Sequence, residues 1–201
     1  MQQPKLVADV INSKPAVLFD GDDDMLARVD VAGDALLSSD SVSIYAVVRQ
    51  KQQSAANTVL AWEATNYKNH LALLTSYHDQ FLIDHGHATE EGRVSAAQPE
   101  GWDDTWHVLE FVRNGSQAVV MVDSEEVEMG EFGDVLEVDT AGMLLVGALS
   151  ELAFGGEIAE VLIYNRALSE PERGAVRGYL GSSYGLFVTD NQAPIVTLTA
   201  P

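Results

Sequence analysis

GGEIAEVLIYNRALSEPERGAVRGYLGSSYGL, residues 155–186, holds a strand, a turn and a helix in that order. Ile158, Val161 and Ile163 stand among polar residues as in a half-buried strand, and Asn165-Arg166 ends the run. Ser169 and Glu172 have the Ser-x-x-Glu spacing of a capping box. Pro171 falls in the first helical turn, where its missing N–H costs little. Val176, Tyr179 and Leu180 give the helix one apolar stripe, and Gly181 or Gly185 can end it.

Two stretches upstream belong with this one. KPAVLFDGDDDMLA (14–27) reads as a strand running through Pro15 and Phe19 into an Asp20-Gly21 turn. TWHVLEFVRNGSQAVVMVDSEEV (105–127) reads as a hairpin, with a Trp106-His107 strand, a turn and a strand ending in Val122-Asp123. Together the three resemble the laminin-G-like, concanavalin-A-like jelly-roll modules of bacterial extracellular proteins. The match at the end of the chain runs in order through Ile158, Ala159, Glu160, Tyr164, Asn165, Arg166, Ala167, Leu168, Ser169, Tyr184, Gly185 and Leu186. The departure is Asp123-Ser124, where such modules usually carry Asp-Gly. The resemblance covers residues 1–187.

Between 17 and 164 the chain reads as short strands: 16–19, 42–49, 57–63, 70–75, 79–84, 106–113, 117–123, 143–147 and 156–164. Turn signals separate them, at Asp20-Gly21, Gly33-Asp34, His85-Gly86, Pro99 to Gly101, Asn114-Gly115 and Gly155-Gly156. Asn114-Gly115 between two apolar runs is the strongest hairpin signal. Evenly spaced strands followed by one late helix predict an all-β fold: an antiparallel two-sheet β-sandwich, or jelly roll, with one short C-terminal helix. The expected core includes Phe19, Trp106, Val108, Phe111, Val120, Leu145, Val161 and Ile163.

A chain of 201 residues buries roughly 70% of its unfolded surface and needs no disulfide staple. It has no cysteine, so thiolate, redox and Cys–metal chemistry are excluded. The formal charge of −20 weighs against nucleic acid, whose phosphates want cations. It weighs equally against anionic membranes, and against anionic polysaccharides unless a cation bridges. Most of the carboxylates read as a solvated acidic surface. No window is long and apolar enough for membrane insertion, and Met1 to Pro4 opens no signal peptide. The expectation is a piece of a longer, secreted or cell-surface protein with covalently linked neighbouring domains. The module is expected over 1–187. Residues 188–201, VTDNQAPIVTLTAP, read as a linker and the truncated first strand of an immunoglobulin-like module.

Retaining glycosidases place an acid and a nucleophile about 5–5.5 Å apart. Glu157 and Glu160 are the nearest approach, but residues three apart on a regular strand face opposite sides. Glu126 and Glu128 share a face about 6.7 Å apart, within an acidic run, Glu125 to Glu131, that reads as a solvated edge. The chain is therefore not expected to be an enzyme. Asp20, Asp22, Asp23 and Asp24 gather hard oxygen donors on one turn, which suits calcium, the expected cofactor. The same turn can instead use Asp20 and Asp22 to cap backbone amides. His85, His87 and His78 lack the further ligand a transition metal wants. His70 and His107 read as structural.

Exposed aromatics beside polar groups bind sugars, because ring faces stack on C–H faces. Trp62 and Tyr67, with Glu63 and Asn66, form the expected ligand-binding patch, joined by Tyr77 and Trp102. The resulting expectation is a non-catalytic carbohydrate-binding module for a neutral glycan or polysaccharide. The competing expectation is an adhesion or spacer module without a glycan ligand.

Overall fold

The computed structural model describes residues 3–32, 40–51, 56–63, 70–78, 80–86, 92–133 and 141–186. Every strand pairing is antiparallel, in two main sheets. The seven-stranded sheet runs β1 (Lys5–Ile11), β2 (Lys14–Asp20), β15 (Gly155–Tyr164), β4 (Ser41–Gln50), β9 (His107–Asn114), β10 (Gln117–Val122) and β11 (Glu125–Glu131). The six-stranded sheet runs β3 (Leu26–Ala32), β12 (Ala141–Val146), β5 (Ala56–Glu63), β6 (His70–Tyr77), β7 (Gln80–Gly86) and β8 (Arg93–Ala97). A small hairpin, β13 (Ala148–Leu149) with β14 (Leu152–Ala153), lies against β5. One helix, α1 (Glu170–Tyr184), follows β15. The all-β sandwich with a C-terminal helix is as expected. Strands β1, β3, β8, β11, β13 and β14 are additional to the sequence reading. The expected start of an immunoglobulin-like module, 188–201, lies outside the described residues.

The main core lies between the sheets, built from Phe19, Ile44, Leu60, Trp62, Leu71, Leu73, Phe81, Phe111, Val120 and Phe154 among others. Two glycines permit its close approaches. A Cβ on Gly147 would sit 2.1 Å from the Phe19 ring, and its φ of +89° is in any case a glycine conformation. A Cβ on Gly130 would meet Val94 at 2.4 Å, where edge strand β11 closes against edge strand β8.

The outer face of the seven-stranded sheet is covered by α1. Leu180 and Tyr184 pack on Tyr45, Val47, Val108 and Ile11. Glu172 reaches back to accept hydrogen bonds from the Ser169 N–H at 2.8 Å and its hydroxyl at 2.7 Å. Arg166 forks onto the same carboxylate at 2.9 and 2.7 Å. That fork first, then the Ser169 bonds, pushes the Glu172 carboxyl down to about 2. Gly185 ends the helix in the left-handed conformation, and the Leu186 N–H closes on the Gly181 carbonyl. Beneath the helix, buried Glu110 on β9 accepts from Arg173 and from Arg177, while Glu170 binds both arginines from outside.

Two features depart from expectation. The β9–β10 hairpin turns on Gly115-Ser116, since Asn114 already pairs with Gln117. The signal at Asn114-Gly115 is therefore one residue out of register. Trp106 is only half-buried, on the outer face under Arg49, whose Cζ lies 5.1 Å from its ring. On β9 the inward side chains are Leu109 and Phe111, so the pleat sends Trp106 outward. Val161 and Ile163 pack on the core but are also only half-buried.

The β10–β11 turn carries the sequence departure. Asp123 (φ +51°) and Ser124 (φ +72°) form a two-residue loop between Val122 and Glu125. Such turns want glycine or asparagine at positive φ. Asp123 is anchored by its carboxylate, which takes the Val108 N–H at 2.8 Å and pairs with His107 Nδ1 at 2.6 Å. Ser124 has no such tie, and among the described residues its buried hydroxyl oxygen has no partner. Ser124→Gly is therefore expected to raise the unfolding free energy by about 1 kcal/mol. A urea midpoint at or below that of the unaltered chain would contradict this.

Candidate functional site

With the helix on one sheet, the outer face of the six-stranded sheet carries a separate buried apolar cluster. Its centre is small and apolar: Ala61, Ala72, Leu74, Leu82 and Leu145, walled by Leu149 and Leu152 of the small hairpin. Toward the β8 edge it becomes polar. Arg93 donates from Nε and Nη2 to the two oxygens of Asp84 at 2.6 and 2.8 Å. Asp84 is 2% exposed. The Asp84 fork, opposed by burial, raises the Arg93 guanidinium further. Tyr77 packs at the margin of the same cluster, with the Arg93 Cζ 5.7 Å from its ring and His78 edge-on at 4.6 Å.

Of the expected sugar-binding residues, Tyr77 is the one found half-buried on this face. Trp62 is 1% exposed and sits between the sheets. Its strand pairs it with Leu71 and Leu144, whose side chains also face the core. Trp102 is 3% exposed, stacked on His107 at 4.4 Å and edge-on to Phe81 at 4.7 Å. The cause is buried Gln50. Its side-chain amide N–H donates to Asp103 at 2.8 Å and its backbone carbonyl takes the Asp104 N–H at 2.7 Å. That draws the 98–104 segment over the end of the sandwich, with Trp102 as its plug. Neither tryptophan belongs to an exposed platform. Asn66, Tyr67 and the side chain of Glu63 lie outside the described residues.

Three of the four metal candidates converge. Asp20, Asp23 and Asp24 each bring one carboxylate oxygen within 4.8 Å of the others, and Asp22 stands outside this group. Oxygens that close can share one calcium, which holds its ligands at about 2.3–2.6 Å. The loop is also built as a capped turn. Asp20 Oδ1 accepts the N–H groups of Asp22 (2.9 Å) and Asp23 (3.3 Å), and Asp24 accepts that of Asp20 (3.1 Å). The Asp22 N–H first, and its neighbours after it, hold the Asp20 carboxyl below its ordinary value, so it is ionised and ready for a cation.

The carboxylates weighed for catalysis are otherwise engaged. A bulge between Ile158 and Glu160 shifts the β15 register. Glu157 and Glu160 consequently share the outer face, contrary to the regular-strand expectation. Glu157 is gripped by Arg49 at 2.6 Å and Lys51 at 2.7 Å. Glu160 accepts the hydroxyls of Tyr179 at 3.0 Å and Tyr184 at 2.9 Å. Glu126 and Glu128 lie on edge strand β11.

His85, expected at a turn, is fully buried beside buried Arg113, which donates to its carbonyl at 2.8 Å and lies 3.1 Å from its Nδ1. Burial first, then the Arg113 charge, pushes its imidazole down to about 3. The folded state thus refuses a proton that the unfolded chain takes up near 6.5. The contribution is complete above pH 6.5 and falls as pH drops toward 3. Between pH 6.5 and 5 the loss should be of order 2 kcal/mol. His85→Gln should flatten that slope in urea titrations. An equal slope in both proteins would contradict it.

Residues 22–172 match the concanavalin A-like lectin/glucanases superfamily, in its laminin-G-like branch. No curated protein sequence matches significantly. Among solved structures, the chain is similar to domain 4 of AbnA, an extracellular arabinanase from Geobacillus stearothermophilus, in complex with arabinotriose. That likeness has 17% identity and a TM-score of 0.68, covering 88% of this chain and 82% of the other. It is also similar to the CBM40 domain of the Ruminococcus gnavus IT-sialidase, bound to α2,3-sialyllactose. Here the identity is 13% and the TM-score 0.59, covering 88% and 96%. Domains LG4-5 of the mouse laminin α1 chain match at 19% identity and a TM-score of 0.57, over 77% of this chain and 44% of that one. At these identities the likeness is one of fold. The family match spans most of the sequence, and the chain belongs to the concanavalin A-like lectin/glucanases superfamily.

Proposed function

We propose that the chain is a non-catalytic carbohydrate-binding module of a secreted or cell-surface bacterial protein, linked to further domains. The observation that carries this reading is the outer face of the six-stranded sheet. Its side chains are largely buried, and at its margin half-buried Tyr77 stands beside the Asp84–Arg93 pair. Support comes from the superfamily and from two structures of this fold solved with arabinotriose and sialyllactose. A charge of −20 favours a neutral glycan over an acidic one. Calcium is the proposed cofactor, held by Asp20, Asp23 and Asp24, with Asp22 at the edge. It would supply a bridging charge near the rim.

The burial of Trp62 and Trp102 gives the adhesion or spacer reading its own support, since it removes two of the expected aromatics from the surface. A glycan array with calcium and with chelator separates the two. Binding to at least one neutral glycan is expected. No binding to any glycan at millimolar concentration would leave the spacer. In the same buffers calcium should raise the melting temperature by mass action, as any ligand of the native state does. An equal rise with magnesium would mean general charge screening and no calcium site.

A further inference from the structure

The sulfur of Met121 is the odd member of the ionic cluster under α1. Met121 stands opposite Glu110 across the β9–β10 ladder. It is half-buried, so a small solute reaches it from the margin of the helix. Arg173 gives Nε to Glu110 and Nη1 to Glu170, and turns Nη2 onto the Met121 Sδ at 2.8 Å. Arg177 divides Nη1 between Glu110 at 3.1 Å and the same sulfur at 3.7 Å. The Arg177 side chain is 5% exposed, and among the described residues its buried Nε has no partner. Two cations thus aim N–H donors at a thioether, which is a weak acceptor. An oxygen in the same place would receive charge-assisted hydrogen bonds.

We propose that Met121 is an oxidation site whose sulfoxide oxygen is taken by Arg173 and Arg177, so that oxidation tightens the helix on its sheet. The oxidant is a peroxide. The sulfur lone pair attacks one oxygen of hydrogen peroxide and the O–O bond breaks. The departing hydroxide collects the proton left on the transferred oxygen and becomes water. Sulfur gives up two electrons and the peroxide takes them. The unbranched methionine side chain is free to rotate, which turns the new oxygen toward Arg173 Nη2 and Arg177 Nη1. Glu110 and Glu170, the carboxylates on these arginines, keep the N–H groups they already hold. Methionine sulfoxide ordinarily disrupts a packed site. Here the sign is reversed, because the added oxygen meets donors that the sulfur serves poorly.

The intact chain and Met121→Leu are treated with dilute hydrogen peroxide, mapped by tandem mass spectrometry and melted. Met129, which is 66% exposed, should oxidise first, and Met121 should follow while the protein is still folded. Once Met121 carries oxygen, treatment should raise the melting temperature of the unaltered chain by about 3–6 °C relative to the change it causes in Met121→Leu. Met121→Gln, whose side-chain carbonyl imitates the sulfoxide oxygen, should melt above Met121→Leu by a similar margin with no oxidant present. Met121 left unoxidised in the folded protein, under conditions that convert Met129 fully, overturns the site. An oxidised Met121 that gives no rise relative to treated Met121→Leu overturns the role of the two arginines. If Met121→Leu does not fold, the unaltered chain alone decides: a melting temperature that falls as Met121 oxidises overturns the proposal, and one that rises supports it.

Discussion

Trp62→Ala is expected to destabilise the protein by about 3–5 kcal/mol, the cost of emptying a large aromatic site in a packed core. Trp62 is among the largest fully buried side chains, at 1% exposure, and lies where Leu60, Leu71 and Leu73 meet the facing sheet. Domains hold only about 5–15 kcal/mol in total. The variant should therefore melt of order 10 °C lower, and any loss of glycan binding should track unfolding. A Trp62→Ala protein with the parental melting temperature would put the residue on the surface and undo the assignment of the core.

Glu110→Ala should cost a similar amount, about 3–5 kcal/mol, because it leaves Arg173 and Arg177 facing a buried site without their acceptor. Arg177 is 5% and Arg173 15% exposed at the side chain, so water cannot take the acceptor's place. Glu170, exposed at the helix start, still binds both but cannot follow them inward. The control is to remove charge from both sides together. Replacing Glu110 and Arg177 by methionine leaves Arg173 as the one remaining cation, still bound by Glu170, and should recover much of the loss. A double variant as unstable as Glu110→Ala would show that shape, not charge, is what the site demands.

The ends of the chain's argument were legible in its letters, and the middle was not. The helix from Ser169 could be read because a capping box, a proline and a terminal glycine act locally. The sandwich could be read from turn spacing. What failed was parity. On β4 and β9 the helix covers the outer face, so nearly every residue from Val42 to Val48 and from His107 to Arg113 is buried. Alternation is erased there, and the sequence no longer says which way Trp106 points. The β15 bulge reversed the inference for Glu157 and Glu160 in the same way, since one extra residue changes the face of all that follow. Trp102 is not placed by its local sequence because Gln50, about fifty positions earlier, decides where its loop lies. The Asp84–Arg93 pair was invisible because its partners meet only across the β7–β8 ladder. Ser43 is a similar case: its buried hydroxyl takes the Leu168 N–H at 2.9 Å and donates to the Arg166 carbonyl at 3.0 Å, pinning the turn into the helix from a distant strand.

The Asn12 amide donates to the Ser183 carbonyl at 2.9 Å, which sets the helix end beside the β1–β2 turn. Lys5 opens β1 at its far end, seven residues away, or about 20 Å. A pull between Lys5 and Leu186 is thus directed along β1. Its hydrogen bonds to β2 are loaded in shear, all at once, and cannot be peeled apart singly.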